Sequence, residues 1–421
     1  MEMLVVVWVL CAVLVAGTAQ KPSIAVDEAG TLYINSTNKV VVNGINVEAA
    51  FAFLFDATPA LWWSAPEQLV ISTAADGPLS AYAADLDGDG DLDVLSASVH
   101  DSMIAWYRNN GDGTFSDQIV ISTAVGGATS VYAADLDGDG DLDVLSASAG
   151  DDKIAWYRNN GDGTFAAQIV LTTDADYAHT VYAADLDGDG DIDVLSASVN
   201  DDKIAWYRNE GDGTFSAQIV ISTAAGDGAR SVYAADLDGD GDLDVLSASI
   251  NGDKIAWYRN NGDGTFSAQI IISTAADYAI SVYAADLDGD GDLDVLSASR
   301  NDDKIAWYRN NGDGTFSDQL IISTAGLAAT TVYAADLDGD GDLDVLSGSW
   351  NDKKIAWYRN NGDGTFSAQL VISTNANYPF SVYAADLDGD GNLDVLSASR
   401  DDNKIAWYRN NGQWDWKTHF N

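Results

Sequence analysis

Residues 85–98 read DLDGDGDLDVLSAS, and this segment returns six more times along the chain with few changes. The copies begin at spacings of 50, 50, 51, 50, 50 and 50 residues, and a second segment, IAWYRNNGDGTF at residues 104–115, recurs in phase with the first. A fixed period of this length is typical of solenoids, propellers and repeat arrays. The repeat therefore governs the fold.

Each repeat contains four short segments with the composition of strands. In the second repeat they are residues 130–134, 143–148, 153–159 and 168–173. All are rich in Val, Ile, Tyr, Trp, Ser or Ala and are bounded by Gly, Asp or Asn, as strands are. Several lack polar alternation, which indicates strands covered on both faces. The sequence therefore predicts an all-β fold, a seven-bladed β-propeller of four-stranded antiparallel blades.

The order of strands within the ring follows from residue size and from pairing. Val-Tyr-Ala-Ala precedes each Asp-rich loop in most copies, and small alanines suit the crowded centre, so we expect these strands to be innermost. The last copy reaches its fourth strand only at residues 417–421, whereas an unpaired matching strand, EQLVIST, precedes the first loop at residues 67–73. Since a ring must hide its strand edges, we expect this N-terminal strand to complete the seventh blade.

The chain divides into three parts. Residues 1–19 resemble a signal peptide, with an apolar run followed by small residues, and we expect cleavage after Ala19. No Lys or Arg precedes the apolar run, so an uncleaved anchor remains an alternative. Residues 20–66 form an N-terminal extension with a hairpin-like pattern at residues 31–43, and residues 67–421 form the propeller. The only cysteine, Cys11, would be removed with the signal, and we expect a secreted, extracellular protein.

Charge and composition limit the partners. The 421-residue chain is 47% hydrophobic and carries a net charge of −46, with 34 of its 66 acidic residues in the seven loops. So many carboxylates in short loops repel one another unless cations lie among them. Nucleic acids and anionic membranes require clustered basic residues, and the chain has only 20 Lys and Arg. We expect no nucleic-acid partner and no membrane span in the mature chain.

The Asp-rich loop has the ligand pattern of a calcium site. Side-chain oxygens at loop positions one, three, five and nine can converge, glycine at position six permits a sharp turn, and position seven can add its main-chain carbonyl. Oxygen ligands without His or Cys select calcium over zinc or copper. The seventh loop carries Asn392 at position seven, which leaves that carbonyl unchanged. The alternative, an Asp-Gly hairpin turn without metal, would not need the further carboxylates.

The DxDGDGxxD loops, in phase with GDGTF and IAWYRN, resemble FG-GAP/VCBS repeats, which form the seven-bladed propeller head of integrin α-subunits and of some secreted lectins. The resemblance covers residues 67–421. By position it implies up to seven Ca²⁺ ions, with position seven contributing its main chain. The implied ligands are Asp85, Asp87, Asp89, Asp91 and Asp93; Asp135, Asp137, Asp139, Asp141 and Asp143; Asp185, Asp187, Asp189, Asp191 and Asp193; Asp236, Asp238, Asp240, Asp242 and Asp244; Asp286, Asp288, Asp290, Asp292 and Asp294; Asp336, Asp338, Asp340, Asp342 and Asp344; and Asp386, Asp388, Asp390, Asn392 and Asp394.

The chain also departs from the integrin pattern. The Gly-Ala-Pro expected after the loop is replaced by Ser96-Ala97-Ser98, and no integrin leg, transmembrane or cytoplasmic region follows. We therefore do not expect an integrin subunit.

Other repeated residues favour structural roles. The turn at residues 109–113 lacks convergent carboxylates, so a hairpin turn is favoured over a second metal site. We interpret Trp106 and Tyr107 as core between blades, with sugar platforms as the alternative. Arg108 is expected to pair with nearby Asp residues or to cap the turn.

The copies differ mainly in two places: the connections between blades and the turns between second and third strands. In an up-and-down blade both emerge on one face, which we call the variable face, opposite the Asp loops. Its residues suited to anchoring a ligand are His100, Tyr177, His179, Arg230, Tyr278, Arg300, Trp350, Tyr378, Phe380 and Arg400. The alternative is drift in unconstrained loops.

Three functions follow from these features. The first is a secreted calcium-binding adhesion or ligand-binding module, monomeric, with a protein or glycan partner on the variable face. The second is a carbohydrate-binding lectin. The third is a carboxylate-dependent polysaccharide hydrolase or lyase, but the chain has three His and no Gly-x-Ser-x-Gly elbow. We expect that the protein is not an enzyme.

Overall fold

The computed structural model describes residues 23–26, 32–35, 41–42, 45–46, 66–225 and 228–412. The chain splits into two compact units, residues 1–63 and 64–421. The described part contains no helix, and hence none with the length and apolarity to cross a membrane.

The first unit contains two short antiparallel pairs. They are β1 (Ser23–Val26) with β2 (Leu32–Asn35), and β3 (Val41–Val42) with β4 (Ile45–Asn46). The hairpin-like pattern at residues 31–43 thus contains β2 and β3, which pair with the strands flanking that pattern. The segment proposed as a signal peptide lies outside the described residues and stays a prediction.

The second unit consists of seven four-stranded antiparallel sheets, the blades. The first strands are β6 (Pro78–Ala84), β10 (Ala128–Ala134), β14 (Ala178–Ala184), β18 (Ala229–Ala235), β22 (Ala279–Ala285), β26 (Ala329–Ala335) and β30 (Pro379–Ala385). The second are β7 (Asp93–Ser98), β11 (Asp143–Ser148), β15 (Asp193–Ser198), β19 (Asp244–Ser249), β23 (Asp294–Ser299), β27 (Asp344–Ser349) and β31 (Asp394–Ser399). The third are β8 (Met103–Tyr107), β12 (Lys153–Tyr157), β16 (Lys203–Tyr207), β20 (Lys254–Tyr258), β24 (Lys304–Tyr308), β28 (Lys354–Tyr358) and β32 (Lys404–Tyr408). The fourth are β9 (Ile119–Ser122), β13 (Ile169–Thr172), β17 (Ile219–Ser222), β21 (Ile270–Ser273), β25 (Leu320–Ser323), β29 (Leu370–Ser373) and β5 (Gln68–Ser72).

The ring closes as the sequence predicts. Strand β5 pairs antiparallel with β32, and Trp407 lies opposite Leu69 in that register. The seventh blade therefore takes its fourth strand from the N-terminal side of the propeller, which pairs the edge that β32 would otherwise expose. Residues 417–421 lie outside the described part of the chain.

The core lies between blades. Alternate residues of a strand point to opposite faces, so Leu95 and Trp106 pack against the second blade while Val94 and Tyr107 pack against the seventh. Every residue of β7 is buried. This two-sided burial explains the unbroken apolar runs, and it confirms the prediction that the repeated Trp and Tyr are core residues.

The first strand of each blade is innermost, as predicted, because the first strands of neighbouring blades contact one another. One tyrosine from each forms a closed ring whose neighbouring ring centroids are 4.6–5.0 Å apart. The members are Tyr82, Tyr132, Tyr182, Tyr233, Tyr283, Tyr333 and Tyr383. This ring surrounds the central channel.

Candidate functional site

The Asp-rich loops join the first and second strands of each blade. In the first loop, Gly88 and Gly90 adopt φ values of +74° and +95°, a region that disfavours residues with a Cβ. Asp85 at position one closes the loop, because its Oδ1 accepts the Gly88 N–H at 2.8 Å and its Oδ2 accepts the Gly90 N–H at 3.0 Å. The side chain of Asp85 therefore holds the backbone of its own loop in place.

The aspartate at position nine begins the second strand and is fully buried. Asp93 Oδ1 accepts the Asn109 N–H at 2.7 Å, and its Oδ2 accepts the Leu86 N–H at 3.0 Å. Burial raises the pKa of Asp93 to about 7, although these two donors oppose the shift. The same burial raises the pKa of Asp344 to about 8. A neighbouring cation would favour the ionised form of these carboxyls.

The aspartate at position three holds a buried oxygen without a partner. Among the described residues, Asp87 Oδ1 has no hydrogen-bond donor. Equivalent unpartnered oxygens occur in Asp137, Asp187, Asp238, Asp288 and Asp338. Burial, which is the largest effect, and the neighbouring Asp89 raise the pKa of Asp87. An unpaired buried carboxylate oxygen is costly unless it is protonated or bound to a cation, so the residues at this position fit a metal ion.

Convergence of the loop carboxylates also fits a metal ion. Positions one, three and nine bring ligand oxygens within 4.8 Å of one another in the loops that begin at Asp85, Asp135, Asp185 and Asp236. In the fifth loop the converging set is positions one, three and five: Asp286, Asp288 and Asp290. Ligation of calcium at each loop position, including the main chain at position seven, stays a prediction.

Position five is engaged by the arginine that follows the Trp-Tyr pair. Arg108 lies 2.7 Å from Asp87 through Nε and 2.9 Å from Asp89 through Nη2, which confirms the predicted pairing with loop aspartates. In the third repeat, Arg208 instead pairs with Glu210 at 2.9 Å, a residue that is Asn in most other copies. The turn at residues 109–113 is a hairpin turn closed by an isolated bridge, also as predicted.

Sequence reasoning missed the buried asparagine that joins neighbouring blades. Asn159 Nδ2 donates to the Leu142 carbonyl of its own blade at 3.0 Å and to the Leu86 carbonyl of the preceding blade at 2.7 Å. The bond to the preceding blade occurs in all seven copies. The only available signal was the presence of this Asn in every repeat.

As the sequence predicts, the variable face is formed by the connections between blades and by the turns between second and third strands. The Val99 N–H donates to the Gly77 carbonyl at 3.0 Å, and the His100 N–H donates to the Asp76 carbonyl at 3.1 Å. These bonds join the turn between second and third strands to the connection between blades. The two variable segments therefore lie side by side.

Part of this face is a continuous stack of aromatic rings and guanidinium groups, which we call the aromatic–arginine stack. Arg300 lies 5.5 Å from the Tyr278 ring and 4.2 Å from the Trp350 ring. Trp350 stacks on Tyr378 with ring centroids 4.3 Å apart and ring planes at 13°. The Arg400 guanidinium lies 4.2 Å from the centroid of the Tyr378 ring. The members come from three blades.

Backbone strain accompanies several of these tyrosines. Tyr177, Tyr278 and Tyr378 have φ values of +60°, +58° and +61°, whereas Gly77 and Gly127 occupy the same place in other blades with φ of +68° and +65°. Bulky residues pay about 1–2 kcal/mol in this conformation. Ala328 adopts the same conformation in the sixth blade, with a φ of +57°, so the strain belongs to the shape of this connection and not to the tyrosines alone.

The remaining predicted residues of this face fall into two places. His100 is exposed and lies 3.2 Å from Asp76. His179, Arg230 and Phe380 lie on inner strands at the mouth of the central channel.

Fold and loops together define a seven-bladed β-propeller with one acidic loop in each blade. A model of the FG-GAP-like repeat matches residues 85–146, 135–196, 185–247, 238–297, 286–347, 344–397 and 386–421. The chain belongs to the FG-GAP-like repeat family. No curated protein matches the chain.

Several solved structures share the fold. A lectin from Agrocybe aegerita that recognises non-reducing terminal N-acetylglucosamine is 23% identical, with a TM-score of 0.54, over 71% of this chain and 81% of the lectin. BBS1N, in complex with ARL6DN, is 12% identical, with a TM-score of 0.58, over 83% and 98% of the two chains. Virginiamycin B lyase from Staphylococcus aureus is 14% identical, with a TM-score of 0.56, over 81% and 97%. At these identities the likeness concerns the fold alone.

Proposed function

We propose that this protein is a secreted, calcium-stabilised propeller that binds an extracellular protein or glycan through its variable face and so serves in adhesion or ligand capture. The observation that carries this proposal is the aromatic–arginine stack, which spans three blades and includes strained tyrosines. Arginine and large aromatic residues dominate the energetics of binding sites.

The arrangement of the stack favours a protein partner with acidic groups. Tyr378 covers one face of the Trp350 indole, and Arg300 lies 4.2 Å from the Trp350 ring and 6.0 Å from the Tyr378 ring, so these two neighbours restrict the access of a sugar ring to the indole. Arg300 presents its guanidinium donors, and Arg400, whose Nε pairs with Asp401 at 2.8 Å, presents its Nη donors. Guanidinium groups bind carboxylates in a planar, bidentate manner. The binding energy would come from the guanidinium donors, from contacts with the edges of the aromatic rings, and from displaced water.

The test is a binding screen in calcium buffer against extracellular proteins and a glycan array, followed by two variants. Trp350→Ala should weaken binding of a protein ligand by at least about thirtyfold, the effect of a hot-spot residue of about 2 kcal/mol. Tyr177→Ala is the matched control, since Tyr177 lies on the same face, outside the stack. Equal binding by the Trp350 variant and the wild type contradicts the proposed site.

A lectin is the second candidate, and Tyr177 is the observation that favours it. Its side chain is 45% exposed although its backbone is held at φ +60°. An exposed aromatic ring can stack on a sugar. The two variants then exchange roles: a glycan ligand should be lost in Tyr177→Ala and kept in Trp350→Ala. An array without any positive glycan counts against the lectin.

Calcium binding is supported by the converging carboxylates and by the unpartnered buried oxygens at position three. Secretion is supported by the sequence of residues 1–19. Expression of the full chain, with mass spectrometry of the protein from the medium, tests cleavage after Ala19. Protein found only in the membrane fraction would favour the anchor instead.

We also propose that the protein binds without catalysing a reaction and is a monomer. Incubation with acidic and neutral polysaccharides should leave their length and unsaturation unchanged, as measured by chromatography and by absorbance of unsaturated products. Sedimentation of the purified propeller tests the monomer.

A further inference from the structure

The mouth of the central channel on the variable face is unlike the rest of the ring. Two residues from each inner strand line a cavity of about 130 Å³. The outer position differs in nearly every blade and includes His179, Arg230 and Phe380, whereas the next position carries a hydroxyl in all seven. The tyrosine ring lies two residues further along each inner strand, about 7 Å deeper.

Arg230 brings a positive charge into this cavity without a counter-charge among the described residues. Its Nε is buried and has no hydrogen-bond partner there, and its guanidinium lies 5.0 Å from the Phe380 ring. None of the residues that line the described cavity is Asp or Glu. Arginine stays protonated in proteins, and burying an uncompensated charge is costly.

Neighbouring titratable groups do not supply the missing negative charge. Burial, followed by the Arg230 charge, lowers the pKa of His179 well below 6.5, so this imidazole is neutral at pH 7. Burial also lowers the pKa of Arg230 itself, which is the expected mark of a cation whose environment lacks an anion. The cavity therefore favours a negatively charged guest.

Serine hydroxyls at the mouth are arranged as donors. Ser130, Ser231 and Ser281 each accept a backbone N–H from the inner strand of the next blade, at 3.2–3.4 Å. Each bond uses one lone pair of the serine oxygen, and none of these three hydroxyls donates a hydrogen bond to another described residue. Their protons can be donated to an acceptor in the channel.

We propose that the channel mouth binds a small oxyanion, a carboxylate, phosphate or sulfate group, with Arg230 as its charge partner and the serine hydroxyls as additional donors. Phe380 limits the cavity on one side and lies 5.3 Å from Tyr378 of the aromatic–arginine stack. An acidic group of a larger ligand on the variable face can reach the same place. The source of the anion is therefore either a free ion or an acidic group carried by such a ligand, for which glucuronate serves as the probe.

The experiment uses the full calcium-loaded protein and titrates it by calorimetry with acetate, inorganic phosphate and sulfate at constant ionic strength, with chloride as the reference. Binding of at least one oxyanion is expected. Arg230→Gln should weaken it by at least about tenfold, the loss of one hydrogen bond to a charged group. Lys353→Gln is the matched control, because Lys353 is an exposed cation on the variable face that lies outside both the stack and the cavity lining.

Several results would overturn the proposal. They are no oxyanion response in the wild type, or an unchanged dissociation constant in Arg230→Gln. Arg230→Met removes the charge and keeps an unbranched side chain that can pack beside Phe380, so it serves if the Gln variant does not fold. An unchanged constant in the Met variant also refutes the role of Arg230.

The sources are distinguished by comparing glucuronate, acetate and glucose. Tighter binding of glucuronate than acetate indicates a sugar-borne carboxylate, and equal binding indicates a free anion. Both results support the site. Glucose binding as tight as that of glucuronate would overturn it, because recognition would then not depend on charge. Asp227 lies outside the described residues, and the variant Asp227→Ala tests whether its carboxylate already neutralises Arg230. Oxyanion binding that is absent in the wild type and appears in Asp227→Ala would show that Asp227 is the partner of Arg230, and it would refute the proposal.

Discussion

Replacing a single carboxylate in one loop should destabilise the protein in the presence of calcium and change its stability little without calcium. The residue is Asp87, at position three of the first loop, and the change is Asp87→Asn. Its Oδ1 is buried without a partner, and its Oδ2 lies 2.7 Å from Arg108 Nε. With calcium bound, the variant loses a ligand. Without calcium, it loses a carboxylate whose ionisation burial and Asp89 already disfavour.

The magnitude follows from mass action. An extracellular calcium module binds with a dissociation constant of about 10⁻⁴–10⁻³ M, so 10 mM calcium is about ten- to a hundredfold above it. One lost site then costs about 1.4–2.7 kcal/mol. For a propeller of about 350 residues the unfolding entropy is roughly 0.7 kcal/mol/K, so the melting temperature should fall by about 2–4 °C. In chelator the Asp87 variant should lie within about 1 kcal/mol of the wild type, because the exposed Arg108 pair contributes little.

The assay is calorimetric melting of the propeller in 10 mM calcium and in chelator, with Asp91→Asn as the matched control. Asp91 occupies position seven of the same loop, where the seventh loop carries Asn392. The control should melt like the wild type in both buffers. The same loss for Asp87→Asn in calcium and in chelator would refute an ion-binding role, as would an equal loss in the control.

Three further predictions concern the scaffold. Burial raises the pKa of the position-nine carboxyls, to about 8 in Asp344, so the metal-free folded state holds protons that the unfolded chain releases near pH 4. The contribution of these carboxyls to stability is complete below about pH 4, and stability in chelator should fall as the pH rises through 7 and 8. Denaturant melts in chelator that show a rise between pH 6 and pH 8 contradict the assignment. Asn260→Ala removes donors to the Leu186 and Leu243 carbonyls at 2.7 and 3.0 Å and should lower the free energy of unfolding by about 2–4 kcal/mol. Asn261 is exposed, so Asn261→Ala should change the free energy of unfolding little. Equal melting temperatures of the two variants would count against the blade-joining role. Burial raises the pKa of the inner-ring tyrosines Tyr82, Tyr132, Tyr182, Tyr283 and Tyr333, and it also raises the pKa of Tyr207 and Tyr408. An absorbance titration should therefore leave several buried tyrosines neutral at about pH 11, where exposed tyrosines have ionised, and their contribution to stability should be lost as the pH rises beyond 10. Complete ionisation of the folded protein by about pH 11 would contradict the buried ring.

Much of the fold was accessible from the sequence, because each blade is built from contacts local in the chain. The Asp loop, the following strand and the Asn-Gly turn lie within one repeat, and Asp93 reaches Asn109 only 16 residues away. The matching strand at residues 67–73 also indicated ring closure, which the pairing of β5 with β32 confirms. The carboxylates of the loop and the closing contact of position one lie within one repeat, whereas the Leu86 carbonyl of the same loop accepts its hydrogen bond from Asn159 of the next blade.

The sequence by itself determined the period, the blade count, the acidic loops and the face on which the repeats differ. Only the tertiary structure decided what the variable residues do together. Arg300, Trp350 and Tyr378 lie in different repeats, yet stack at contact distance, and Arg230 meets Phe380 across the channel. The physical reason is that a ring places residues from separate blades side by side through a rotation per blade that no local pattern encodes. Recognition therefore depends on the closed ring, whereas each acidic loop depends mainly on its own repeat.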